Sequence, residues 1–129
     1  MLPIYREARY WRIQNEVFNS VEKTNRELLK GTAATIVLKV LSRREMYGYE
    51  LIKAIGKESE GSFAFKEGTL YPLLHQLEQQ GAILSRWEET QKARKRKYYH
   101  ITQRGREVLA DKTQEWLEFR AALDKLVAS

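Results

Sequence analysis

The chain has 129 residues, of which 43% are hydrophobic, and it carries a formal net charge of +6. This length and composition predict a single folded domain with peripheral helices and exclude wholesale disorder. The positive charge favours an anionic partner, above all nucleic acid. The absence of cysteine excludes disulfides, thiolate metal sites and a cysteine nucleophile.

The sequence also indicates where the protein acts. Its start leads into alternating charged residues rather than an apolar segment, which argues against a secretory signal. The most apolar stretch, residues 33–41, contains Lys39 and is shorter than the roughly 20 apolar residues that span a bilayer. We therefore expect a cytoplasmic protein with no membrane partner.

Two helices are predicted first. Residues 4–24 form an amphipathic helix whose docking the sequence leaves open. Residues 26–43 form a second helix, with a stripe that includes Leu29, Ala33 and Ile36. A turn at Gly48 precedes the third helix.

The third helix covers residues 49–57 and is followed by a break at residues 61–62. Phe63 and Phe65 then alternate around Ala64, which predicts a short extended segment.

The fourth helix, residues 67–80, has the clearest pattern. Its buried stripe follows the i, i+3, i+4, i+7 spacing and consists of Leu70, Leu73, Leu74 and Leu77. Gly81 is expected to end it. Proline lacks an N–H and is tolerated in a first turn. The helix therefore either begins near Tyr71 or bends at Pro72.

The opposite face of the fourth helix is polar without being strongly charged, unlike an ordinary solvent face. The N-terminus of a helix favours the binding of phosphate, and imidazole or amide side chains further along the helix can reach base edges. The candidate DNA contacts here are Lys66, Thr69, Tyr71, Pro72, His75 and Gln76. An ordinary exposed helix face is the alternative interpretation.

A run of five cations follows, between two stretches rich in strand-forming residues. Residues 83–87 and 98–102 predict a β-hairpin with the run at its tip, which suits contact with phosphates. The candidate phosphate contacts are Lys92, Arg94, Lys95, Arg96 and Lys97. A solvated loop is the alternative. Of Tyr98 and Tyr99, one should lie in the core and the other outside, and the pattern does not say which.

Residues 103–127 predict a long C-terminal helix. Its apolar residues follow heptad spacing, interrupted by Lys112, and are Leu109, Trp116, Phe119, Leu123 and Leu126. Such a seam needs a partner: the N-terminal helix, a second copy of the chain, or both. Trp116 and Phe119 are also candidates for lining a hydrophobic ligand site between protomers, although seam packing is the simpler interpretation.

The order of three helices and a two-stranded hairpin is that of a winged helix-turn-helix. We predict a mainly α protein with a small β-hairpin wing, an extra N-terminal helix and a long C-terminal dimerisation helix. The expected boundaries are 1–25 for the amphipathic helix, 26–103 for the winged helix-turn-helix and 104–129 for the dimerisation helix. The fourth helix would read bases while the hairpin holds phosphates.

Several segments within roughly residues 28–110 carry a family resemblance. They are YGYEL at 47–51, EGTLYPLL at 67–74, LEQQG at 77–81 and RKRKYYHIT at 94–102, followed by Gly105. This combination resembles the PadR family of transcriptional regulators. The resemblance implies a dimeric bacterial repressor with an N-terminal winged-helix domain and a C-terminal dimerisation helix. It also implies release from DNA by a small aromatic or hydrophobic compound, as in many members.

Catalytic features are not apparent. Neither His75 nor His100 has a second metal ligand at suitable spacing on its own element. No phosphate loop, nucleophile elbow or paired-carboxylate motif is visible, so we expect no cofactor, no metal and no enzyme activity. The leading hypothesis is a homodimeric, sequence-specific repressor that binds double-stranded DNA. The alternatives are a winged-helix protein-interaction module without DNA binding and a binder of structured RNA.

Overall fold

The computed structural model describes residues 31–92 and 94–128. The described residues from Ala33 onward belong to one compact unit. The predicted helix over residues 4–24 and the first five positions of the second helix, residues 26–30, lie outside the described residues.

The described elements follow in the order helix, strand, helix, helix, strand, strand, helix. They are α1 (described over residues 31–41), β1 (Met46–Tyr47), α2 (Gly48–Glu58), α3 (Glu67–Gln79), β2 (Ile83–Glu89), β3 (Lys95–Ile101) and α4 (Gln103–Val127). None of the described helices has the length and apolarity that a membrane span requires.

The three strands form an antiparallel sheet in the order β1–β3–β2. Strands β2 and β3 pair from Ile83 opposite Ile101 to Glu89 opposite Lys95. Strand β1 pairs with β3 and places Met46 opposite Tyr99. Since side chains alternate along a strand, this register separates a core face from an outer face.

The core lies between the helices and the inner face of this sheet. Side chains of all three helices that precede β2 contribute to it, together with the first residue of that strand. The largest fully buried side chains are Val37, Leu38, Leu41, Leu51, Ile55, Leu70, Leu74, Leu77 and Ile83. The predicted fold class, mainly α with a winged helix-turn-helix, is confirmed in the described part of the chain.

Helix α3 begins and ends for identifiable reasons. Lys66 has extended backbone, and its carbonyl accepts the N–H groups of the first turn. Pro72 lies inside the helix, so the alternative that the helix begins near Tyr71 is wrong. At the other end, the φ angle of Gly81 is 74°, a left-handed conformation that favours glycine. The predicted stop at Gly81 is confirmed.

The start of α4 is joined to the end of α3 by hydrogen bonds. The Thr102 hydroxyl donates to the Gly81 carbonyl at 2.6 Å and accepts from the Gly105 N–H at 3.0 Å. The Thr102 N–H donates to the Ala82 carbonyl at 3.0 Å. Thr102 therefore caps α4 and fixes it beside Gly81 and Ala82, which connect α3 to β2.

One element was absent from the sequence-based expectation. Strand β1 was not predicted, because the segment before α2 suggested only a turn. Phe63 is exposed and Phe65 is buried, as the predicted alternation requires, and the segment lies outside the helices and strands.

Candidate nucleic-acid interface

Helix α3 has one buried side and one exposed side. Leu70, Leu74 and Leu77 are buried in the core. Lys66 is exposed at the N-cap, immediately before the first turn. The other predicted contacts on this helix are also exposed; they are Thr69, Tyr71, Pro72, His75 and Gln76. The fold thus gathers the six candidates at the start and on the accessible surface of one helix.

Among these candidates, Tyr71 also packs against α2. A Cβ atom on Gly48 would lie 2.5 Å from the Tyr71 hydroxyl oxygen and 2.9 Å from its Cζ. A side chain larger than that of glycine at the first residue of α2 would therefore displace the phenol. The ring is still 44% exposed, so Tyr71 lies against the start of α2 and keeps an accessible edge. Its contact with phosphate stays a prediction.

The wing is the hairpin of β2 and β3 with its connection, residues 90–94. Thr90 closes the connection, because its N–H and its hydroxyl both donate to the Arg94 carbonyl, at 3.1 Å and 2.7 Å. Lys92 and Arg94 lie in the connection, whereas Lys95–Lys97 begin β3. The basic run therefore extends from the tip along one strand.

Four cations of the wing carry uncompensated charge. Within the described residues, no carboxylate forms an ion pair with Lys92, Arg94, Lys95 or Arg96. All four side chains are exposed. A group of exposed cations on a protruding hairpin is suited to displacing counterions from a phosphate backbone.

Stacked side chains on the outer face of the sheet orient part of this charge. The Arg96 guanidinium lies 4.4 Å from the centre of the Tyr47 ring, and Tyr47 meets Tyr98 edge to face at 5.5 Å. Arg86 lies 4.9 Å from the centre of the Tyr98 ring. Cation–π contacts at exposed sites contribute about 0.5–1 kcal/mol, enough to restrict the Arg96 side chain. Tyr99 is the buried member of the tyrosine pair, at 5% exposure.

Arg86 is paired with carboxylates and does not add to the uncompensated charge of the wing. It forms ion pairs with Glu45, ahead of β1, and with Glu88 on its own strand. The hydrogen bond from Arg86 lowers the pKa of Glu45, and the same bond raises the pKa of Arg86. Both groups are solvent-exposed, so screening limits what the pair adds to stability.

Lys97 differs from the other four cations because it is engaged by α3. Its ammonium lies 3.5 Å from the Glu78 carboxylate, which also accepts a hydrogen bond from the Ser85 hydroxyl at 2.9 Å. Burial raises the pKa of the neighbouring Tyr99, and the charge of Glu78 adds to the rise. Glu78 was not among the predicted site residues, since its partners are brought to it only by the strand register.

Most of the predicted seam of α4 is accessible. Leu109 is half-buried near the root of the helix. The remaining seam residues are exposed: Trp116, Phe119, Leu123 and Leu126, the last two at 43% and 81%. Leu117 is exposed beside them. The predicted roles of these residues in a dimer interface, and of Trp116 and Phe119 in ligand binding, stay predictions.

The two histidines lie on different elements, His75 on α3 and His100 on β3. In the part of the chain that the structure describes, potential metal-ligating side chains form no group of three or more.

Comparison with known proteins gives a consistent assignment. The family model for the transcriptional regulator PadR-like family matches residues 37–111. Uncharacterized protein X of Lysinibacillus sphaericus is 32% identical over 76% of this chain and 90% of its own. Transcriptional regulator YqjI of Escherichia coli is 34% identical over 66% of this chain and 39% of its own length. The crystal structure of a PadR family transcriptional regulator from Eggerthella lenta superposes with a TM-score of 0.78. That structure is 32% identical, and the match covers 87% of this chain and 96% of the other.

Proposed function

The chain belongs to the PadR-like family of transcriptional regulators, and from this premise we propose that it is a sequence-specific repressor that binds duplex DNA as a homodimer. The observation that carries the proposal is the pairing of an exposed, weakly charged face of α3 with the four uncompensated cations of the wing. A helix of this kind fits the major groove, whereas the wing reaches the backbone beside it.

The two elements have different roles in this proposal. His75 and Gln76 contact base edges, where each good contact discriminates by about 1–3 kcal/mol. Lys66, Thr69 and Tyr71 contact phosphate near the N-terminus of α3, and Pro72 packs against the groove wall. The wing cations supply affinity that does not depend on sequence.

Dimerisation through α4 is the second part of the proposal. Its exposed apolar residues at heptad spacing suit a helix from a second copy. Two copies of α3 would then meet successive major grooves about 34 Å apart, which predicts an inverted-repeat operator. Trp116→Glu should give monomers by light scattering and weaken operator binding, and a Trp116→Glu protein that stays dimeric would contradict this interface.

The aromatic side chains of the same seam are the proposed contacts for a small hydrophobic effector. Trp116 and Phe119 present flat apolar surfaces on α4. Titration with planar aromatic compounds should quench the fluorescence of Trp116 and release DNA. If the Trp116→Phe protein shows the same quenching, the ligand binds elsewhere.

The DNA-binding proposal is tested by the salt dependence of affinity. Replacing residues 94–96 by glutamine removes three cations, each worth about 0.9 in the slope of log K against log salt, so the slope should flatten by about 2–3. The matched control replaces Arg106, Arg120 and Lys125 on α4, which makes the same change in net charge. Equal slopes in the two variants would contradict the wing assignment.

Selection of bound fragments from genomic DNA gives the operator and tests base reading together. His75→Ala or Gln76→Ala should relax the preference at particular base pairs by about 1–3 kcal/mol. If both variants keep the full preference, the reading face is elsewhere. Failure to bind any duplex at low salt would instead favour a protein-interaction module, and stronger binding to structured RNA would favour an RNA binder.

A further inference from the structure

Glu78 is the acidic side chain through which α3 holds the wing. Its Oε2 accepts a hydrogen bond from the Ser85 hydroxyl on β2, at 2.9 Å. Its Oε1 lies 3.5 Å from the Lys97 ammonium on β3. One carboxylate on the proposed reading helix is therefore bound to both strands of the hairpin.

Lys97 is held on the core face of the sheet rather than projecting with the other cations. The register places Lys97 opposite Trp87 and two positions before the buried Tyr99. Its ammonium lies 5.9 Å from the centre of the Trp87 ring and 5.4 Å from that of Tyr99. Within the described residues, Lys97 is the one cation of the basic run that pairs with a carboxylate. Its side chain is about one-third exposed, so DNA could still compete for it.

We propose that Glu78 is a specificity-determining residue that acts through Lys97 and Ser85. The carboxylate keeps Lys97 from making a sequence-independent contact with phosphate, and it fixes the position of the wing relative to α3. Affinity for unrelated DNA then comes only from the four uncompensated cations of the wing. The wing also reaches the DNA backbone at a position fixed relative to the base contacts of α3. This inference rests on the proposed binding of duplex DNA.

The test is Glu78→Gln in the full chain. The amide oxygen still accepts the Ser85 hydroxyl, but the amide carries no charge to hold Lys97. Binding to a 30-bp duplex of unrelated sequence should strengthen, with the slope of log K against log salt steeper by about 0.9. A slope change of that size is a factor of about 8 between 1 M and 0.1 M salt. The ratio of operator to unrelated affinity should fall several-fold.

Two variants separate this effect from a general change in charge. Adding Lys97→Gln to Glu78→Gln should remove the gain, because the released cation is then absent. Glu115→Gln, on the exposed part of α4, makes the same change in net charge and should not steepen the slope. An equal gain from Glu115→Gln would overturn the inference.

Lys97→Gln alone gives a test that leaves the Glu78–Ser85 bond in place. It should flatten the slope by less than half as much as Lys95→Gln, whose side chain has no carboxylate partner in the described chain. Equal flattening would overturn the inference. The inference would also be overturned if the wild-type protein binds DNA and Glu78→Gln leaves the slope of log K against log salt unchanged. If the wild-type protein binds no duplex at low salt, the proposed function fails as well.

Discussion

We expect Gly105→Ala to destabilise the winged domain, although alanine favours a helix more than glycine does. Gly105 is buried in the first turn of α4, directly against the backbone of Ala82, the residue before β2. A Cβ atom there would overlap the Ala82 carbonyl oxygen and lie 2.7 Å from Cγ1 of Ile101. The carbonyl belongs to the backbone and cannot rotate away, so α4 itself must shift.

The expected magnitude follows from three contributions. Overpacking of this kind costs about 1–3 kcal/mol. The shift also stretches the 3.0 Å hydrogen bond from the Thr102 N–H to the Ala82 carbonyl, a loss of about 1 kcal/mol. The higher helix propensity of alanine offsets about 1 kcal/mol. The net loss in the free energy of unfolding is therefore roughly 2 kcal/mol.

Gly68→Ala is the matched control. Gly68 lies in the first turn of α3, where a Cβ atom would meet nothing within 4 Å. The same chemical change should therefore leave stability equal or raise it by up to about 1 kcal/mol. The loss of unfolded-state freedom that accompanies any Gly→Ala change is common to both variants.

Urea unfolding followed by circular dichroism measures the difference. At fixed protein concentration, which matters if the chain self-associates, the midpoint of Gly105→Ala should fall by about 1 M with an unchanged m-value. If the Gly105→Ala protein were as stable as the Gly68→Ala protein, the reasoning would be refuted, because α4 could then move away from Ala82 without cost.

Three further predictions concern stability. Burial raises the pKa of Tyr99 above the usual value near 10, so the phenol keeps its proton to higher pH in the folded state than in the unfolded state. The stability that this difference contributes is present below pH 10 and should be lost as the pH rises above 10. Tyr99→Phe should reduce this alkaline loss in urea titrations at pH 9 and 11, and identical losses would exclude Tyr99 as its source. Thr102→Ala removes the cap on the Gly105 N–H and should cost about 1 kcal/mol by the same assay. Leu70→Ala, at a fully buried site, should cost about 2–5 kcal/mol. Leu84→Ala, at a site 52% exposed, should cost well under half of that, and similar losses at the two sites would contradict the placement of the core.

Local signals in the sequence were sufficient for most elements. The spacing of the leucines in α3 fits one face of a helix, and Gly81 ends that helix where its left-handed backbone requires glycine. The strand-forming residues on both sides of the basic run predicted the hairpin, and the predicted range of α4 agrees with Gln103–Val127. Each of these inferences depends only on residues that lie close together in the sequence.

The features that sequence reasoning missed depend on contacts between distant segments. Strand β1 has two residues, too few for any periodicity, and it exists only through its pairing with β3. Glu78 follows the helical pattern of an ordinary polar residue, and its importance comes from the register that brings Ser85 and Lys97 to it. The choice between Tyr98 and Tyr99 likewise required knowing which face of the sheet meets the core.

The length of α4 has a mechanical consequence. Its 25 residues make a rod about 37 Å long, held at its root by the Thr102 and Gly105 contacts. A tilt of about 5° at the root would move the far end by about 3 Å over that length. One residue, Thr102, separates the rod from β3, the strand that carries the basic run. A small force on the far end of α4 therefore acts with a long moment arm on the joint from which the wing strand extends.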